Sequence, residues 1–131
     1  MDANNKRRIS EQVIGCVYSV ANELGPGFLE SVYEKALCSE LHGLGLEVIR
    51  QKQLDVVYKG SVVGKFYADI VVENRLLVEV KAVSRLLPEH KAQVINYLKA
   101  TGLSVSLLVN FGAPKTEIKR IVWQHDDSIV I

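Results

Sequence analysis

The sequence lacks an excess of charge of either sign. Its 16 Lys and Arg stand against 15 Asp and Glu, a formal charge of +1 over 131 residues. A balance so even does not mark the chain as a nucleic-acid binder by composition, and the basic groups Lys6-Arg7-Arg8, Lys115 and Lys119-Arg120 read as solvated surface. Cysteine is scarce. Cys16 and Cys38 fall inside expected helices without metal-ligand spacing, which argues against a disulfide and against a thiolate metal site. Both read as buried thiols, as suits a reducing cytoplasm. No apolar run approaches the roughly 18–20 residues of a membrane span, so no membrane partner is expected. Met1 to Arg8 is polar and basic, without the apolar core of a secretory signal. There is no internal repeat, no low-complexity tract and no Gly-rich phosphate loop of recognised spacing. What remains is one domain over residues 1–131, long enough to bury a sizeable core.

What the chain does have is the stretch Asp69-Ile70-Val71-Val72-Glu73-Asn74-Arg75-Leu76-Leu77-Val78-Glu79-Val80-Lys81. Two apolar arms flank a polar turn, which predicts a β-hairpin. With a three-residue turn centred on Asn74, Asp69 lies opposite Glu79 and Tyr67 opposite Lys81. Strand alternation then puts Glu79 and Lys81 on one face with Leu77, and Val78 and Val80 on the other. A two-residue turn would slip the register and separate the two carboxylates. Opposed like charges destabilise a sheet, and both faces here carry Val and Leu, so the strand reads as buried on both sides. Charges in such a strand need a partner, and a hard divalent cation held by oxygen ligands would serve. The plainer reading is two solvated carboxylates beside a salt-bridging lysine.

Around this hairpin the periodicity predicts a helix begun by a Ser10 cap and running to Leu24, where Gly25-Pro26-Gly27 ends it. A second helix spans about Leu29 to His42. Strands follow at Val48–Tyr58, Val62–Val72 and Leu76–Val83, forming an antiparallel meander. Pro88 opens a third helix that Gly102 closes. Ser104–Asn110 reads as a buried strand and Thr116–Gln124 as another, with Ile129–Ile131 a candidate extension of the sheet. The order is α-α-β-β-β-α-β-β.

Two helices offer further polar groups. Glu30, Tyr33 and Leu37 share one helical stripe, so Glu30 is expected on the inward side, where it could share a cation with Asp69 and Glu79. His90, Gln93 and Tyr97 form a comparable stripe on the third helix, at the border of its core face. A first-turn Glu with no further role, and a stripe that merely edges the core, are the ordinary readings of these two patterns.

Asp69 followed by Glu79-Val80-Lys81, set between two helices, resembles the PD-(D/E)xK nuclease superfamily, whose core order α-β-β-β-α-β matches the chain from the second helix to the strand near Ser104. Gly27 to Tyr33 spells the Gly-x-x-Glu-x-x-Tyr segment that names the GxxExxY family within it. The matching segments run from Gly25 to about Asn110, and Ala68 stands where the namesake proline would be. The resemblance implies a restriction-endonuclease-like α/β (α+β) fold, with a mixed central sheet flanked by helices. It implies Mg²⁺ or Mn²⁺ held by Asp69, Glu79 and the backbone carbonyl of Val80, with Glu30 assisting. Lys81 would orient water or stabilise phosphate charge. Gln93 and Tyr97 resemble the downstream Gln-x-x-x-Tyr motif of RecB-like exonucleases, with Tyr33 and His90 as supporting residues.

Hydrolysis of phosphodiesters in nucleic acid, DNA before RNA, is the function expected, with a second copy of the chain helping to embrace a duplex. The near-neutral charge motivates the alternative: a nuclease-fold module that binds nucleic acid or assembles with protein without catalysis. A phosphohydrolase acting on small phosphate esters is the weakest of the three.

Overall fold

The computed structural model describes residues 8–131, so the expectation for Lys6-Arg7 and the residues before them lies outside the described part. The elements are α1 (Ile9–Leu24), α2 (Glu30–Gly43), β1 (Val48–Tyr58), β2 (Ser61–Val72), β3 (Leu76–Lys81), α3 (Pro88–Thr101), β4 (Val105–Asn110) and β5 (Glu117–Val122), in the order expected. The five strands form one sheet in the order β1-β2-β3-β4-β5. β3 and β4 run parallel, joined by α3, and every other pair is antiparallel. The chain is therefore an α/β protein with a mixed sheet covered on both faces.

Each face has its own core. On one side Val13, Val17 and Val20 of α1 and Tyr33, Leu37 and Leu41 of α2 pack on Ile70, Val72, Leu76, Val78 and Val80, and on Val105, Leu107 and Val109 of β4. On the other, Val94 and Leu98 of α3 pack on Leu54, Ala68, Val71, Leu77, Leu108 and Ile121. A strand covered on both faces must be largely apolar, and all six residues of β4 are buried. Among the described residues no helix is long and apolar enough to cross a membrane. Cys16 and Cys38 are free, buried thiols.

Several boundaries differ from the sequence expectation, among them the ends of β5, which spans Glu117–Val122 rather than Thr116–Gln124; for three differences the contacts give the reason. α1 begins at Ile9 with Arg8 as its N-cap residue; Ser10 lies inside the helix, and both its hydroxyl and its N–H donate to the carbonyl of Ile131 (2.9 and 3.1 Å). That contact also explains why Ile129–Ile131 does not join the sheet: the C-terminus is drawn onto the start of α1. β3 stops at Lys81 rather than Val83, because the side chain of Asn110 takes over as the partner of Val83.

Candidate active site at the parting of β2 and β3

The turn between β2 and β3 sets the register. Glu73 and Asn74 both adopt left-handed backbone angles (φ 53° each), and the N–H of Arg75 donates to Val72 O at 3.0 Å. Val72 then pairs with Leu76, Val71 with Leu77 and Ile70 with Val78, the register of a three-residue turn centred on Asn74. The regular ladder stops there and does not reach Tyr67 and Lys81. Beyond it the side chains of Asp69 and Glu79 carry the connection. Val80 N–H donates to Asp69 Oδ2 at 2.8 Å, and Asp69 N–H donates to Glu79 Oε1 at 3.1 Å. Each carboxylate thus accepts from the opposite strand.

Both strands of the β1–β2 pair change face at this level. Phe66 and Ala68 of β2 pack toward α3, while Ile70 and Val72 pack toward α1 and α2. In β1, Leu54 lies in the α3 core and Val48 against the other. In β1 the reversal falls at Gln51, whose φ of 55° is unusual for a residue with a Cβ and costs on the order of 1 kcal/mol. It sets the Gln51 carboxamide between two acids: Nε2 donates to Glu34 Oε1 at 2.7 Å and to Asp69 Oδ1 at 3.3 Å. Glu34 of α2, only 4 % exposed, also pairs with Arg50 Nε at 3.0 Å. Burial raises its pKa, with the Asp69 charge adding to the rise and Gln51 and Arg50 opposing it.

Glu79 is the most confined of these groups, 2 % exposed. Burial, reinforced by the charge and hydrogen bonding of Asp69, pushes its pKa up to about 9. A buried carboxyl pressed against a second carboxylate needs a proton or a cation, and at neutral pH without a cation it keeps the proton. Lys81 at the end of β3 donates from Nζ to Gln93 Oε1 of α3 at 3.3 Å. Tyr97, one turn further along α3, stacks on Phe66 with ring centroids 4.5 Å apart. The pKa of its hydroxyl is pushed up by burial, with the charges of Glu79 and Asp69 adding to the rise.

The expected residues therefore divide. Asp69, Glu79, Lys81, Gln93 and Tyr97 come together where β2 and β3 part. Glu30 does not join them: it is exposed in the first turn of α2 and acts on the cluster only as a charge near Glu34. Tyr33 is fully buried beneath the loop before α2. Its hydroxyl donates to Gly25 O and accepts from Phe28 N–H, and its ring stacks on Phe111 at 4.6 Å. His90 closes the first turn of α3, its Nδ1 accepting from Leu87 N–H at 2.9 Å. Glu34, Arg50 and Gln51 were not singled out from the sequence. The signal available for Glu34 was its place beside Tyr33, one turn after Glu30 on the same stripe.

Among the described residues no three His, Cys, Asp or Glu side chains form a ready metal cage. Asp69 and Glu79 with a neighbouring carbonyl and water make the partial, all-oxygen set that suits Mg²⁺ or Mn²⁺, which bind through one or two carboxylates and keep several waters. The confined, proton-holding carboxyl of Glu79 beside Asp69 fits such an ion.

The sequence profile of the PD-(D/E)XK nuclease superfamily matches residues 7–121. Among solved structures, the crystal structure of SSO0001 superposes with a TM-score of 0.57 at 23% identity, over 92% of this chain and 60% of that one. The likeness is one of fold, and the chain spans little more than half the length of that neighbour. None of the curated proteins compared matches the chain.

Proposed function

The chain belongs to the PD-(D/E)XK nuclease superfamily, and from that premise we propose that it is a metal-dependent nuclease that hydrolyses phosphodiester bonds of DNA. The observation that carries the reading is the buried Glu79 joined to Asp69 across the parting strands, with Lys81 two residues further along the same strand. Asp69, Glu79 and the Val80 carbonyl would hold Mg²⁺ or Mn²⁺, which when bound offsets phosphoryl charge and makes a bound water more acidic.

The chain's own residues do the rest. The Lys81 ammonium, steadied by Gln93, supplies a positive charge toward the phosphate. Gln51 fixes Asp69 by holding one of its oxygens, while Val80 N–H holds the other. Glu34 orients the Gln51 carboxamide and takes the position expected for Glu30, adding negative charge one hydrogen bond behind the pair. Tyr97, supported by Phe66, walls the α3 side. A second copy of the chain would give the small domain the span a duplex requires.

The test is incubation of the purified protein with Mg²⁺ or Mn²⁺ and with single- and double-stranded DNA and RNA. Cleavage that disappears in Asp69→Ala and Lys81→Ala supports the proposal. Cleavage that survives both substitutions sinks it, and nucleic-acid binding that ignores metal and Lys81→Ala would instead mark a non-catalytic module.

A further inference from the structure

Glu79 and Lys81 stand at the end of β3, whereas Gln93 and Tyr97 ride on α3; residues 82–87 join the two elements. The meeting of Lys81 with Gln93 therefore depends on how this crossover is held. Asn110, the last residue of β4, is fully buried and uses both ends of its amide on it. Oδ1 accepts from the N–H groups of Val83 and Gly112, each at 3.0 Å. Nδ2 donates to Val83 O at 2.9 Å and to Glu117 Oε2 at 2.8 Å. The same Glu117 oxygen accepts from Leu86 N–H at 3.0 Å, one residue before Leu87, the N-cap residue of α3. Phe111 N–H donates to the carbonyl of Lys81 at 2.9 Å. Close packing reinforces the bonds: a Cβ on Gly112 would lie 2.5 Å from Ala82 C and 2.6 Å from Val83 O.

We propose that Asn110 and Glu117 are positioning residues, which clamp the crossover so that the Lys81 ammonium and the Gln93–Tyr97 face of α3 arrive at the site in register. Neither touches Asp69 or Glu79 among the bonds described, so the clamp acts on alignment and leaves the acidic pair intact. The role of Glu117 is that of a hydrogen-bond acceptor at a fixed point, and an uncharged acceptor of the same shape fills it. For its activity readout the inference rests on the nuclease reading; for its structural readout it does not.

The test uses Asn110→Asp, which sets a carboxylate oxygen against Val83 O and Glu117, together with Glu117→Ala and the conservative Glu117→Gln. Glu117 is half-buried on the edge strand β5, whereas Asn110 is fully buried, so the Glu117 variants are expected to disturb the fold less than Asn110→Asp. A displacement of about 1 Å near reacting groups can lower rates by about 100-fold. The expectation for Asn110→Asp and Glu117→Ala is a fall in kcat of about 10- to 100-fold, with KM and the Mn²⁺ midpoint unchanged. Glu117→Gln is expected to keep the wild-type rate. Amide exchange measured in parallel should show protection lost at Leu86, and in the first turn of α3, in Glu117→Ala but not in Glu117→Gln. Ser10→Ala, whose hydroxyl bonds at the opposite end of the chain, serves as a control for general loss of stability. An unchanged kcat in Glu117→Ala, an equal loss in Glu117→Gln, or a Mn²⁺ midpoint that moves with kcat would each overturn the positioning role. A wild-type chain that cleaves nothing would overturn the nuclease reading alone. The clamp would then stand or fall on the exchange pattern.

Discussion

Replacing Glu79 by Gln removes a charge the fold accommodates poorly and keeps the shape it accommodates well. In the cation-free protein Glu79 holds a proton up to about pH 9, because burial and Asp69 both oppose its ionisation. In the unfolded chain the same carboxyl titrates near its ordinary value of 4.5. Between these limits the folded state binds more protons than the unfolded state, so stability falls as pH rises. One such group contributes a slope of at most about 1.4 kcal/mol per pH unit. The amide introduced by Glu79→Gln cannot titrate, yet its oxygen can still accept from Asp69 N–H. The variant should therefore gain on the wild type by up to about 4 kcal/mol between pH 6 and pH 9. Urea unfolding followed by circular dichroism in the presence of EDTA measures the difference directly. A gap between the two proteins that stays constant to within about 0.5 kcal/mol over that range would refute the argument.

The same substitution separates proton from cation. Metal binding to Glu79 displaces the proton, so the Mn²⁺ affinity of the wild type should rise with pH by up to about tenfold per unit below pH 9. In thermal melts, saturating Mn²⁺ at about 100 times its dissociation constant should stabilise the wild type by about 2.7 kcal/mol. Glu79→Gln should gain little from the ion at any pH. Equal stabilisation of the two proteins would place the cation elsewhere.

Glu34→Gln should leave the fold intact while lowering activity or metal affinity by about 10- to 100-fold, the usual effect of losing a partner that orients a ligand, as cleavage assays over a Mn²⁺ series would show. Tyr33→Phe strands Gly25 O and Phe28 N–H beneath the α2 loop, and chemical denaturation should show a loss of about 1–3 kcal/mol. Burial raises the pKa of Cys16 and pushes that of Cys38 up to about 11, so both thiols should react with a disulfide reagent at pH 8 only as fast as the protein unfolds.

How much of the site was legible in the sequence follows from the kind of information each part needs. The hairpin's register rested on the turn length, and the three pairs next to the turn follow the three-residue turn centred on Asn74, whereas the expected pairing of Tyr67 with Lys81 lies beyond the regular ladder. The clamp at Asn110 was invisible, since a lone Asn ending a strand carries no periodic signal and two of its partners, Glu117 and Val83, lie 7 and 27 positions away. Gln51 was equally silent, because its left-handed backbone angle breaks the alternation on which strand reading depends.

Glu30 shows a different failure. The helical stripe placed it on the correct face of α2, with Tyr33 and Leu37, and the phase was right. Periodicity reports angle around a helix and says nothing about position along it. Glu34 lies four residues on, about 6 Å further along the axis, and that step carries the carboxylate from the exposed first turn to the level where Gln51 meets Asp69. The Gly25–Leu29 loop leads into α2, and Tyr33 is bonded to it at Gly25 and Phe28. Within the Gly-x-x-Glu-x-x-Tyr segment, Tyr33 thus ties α2 to the loop before it, and on the proposed reading Glu34 rather than Glu30 is the glutamate of that stripe that faces the acidic pair.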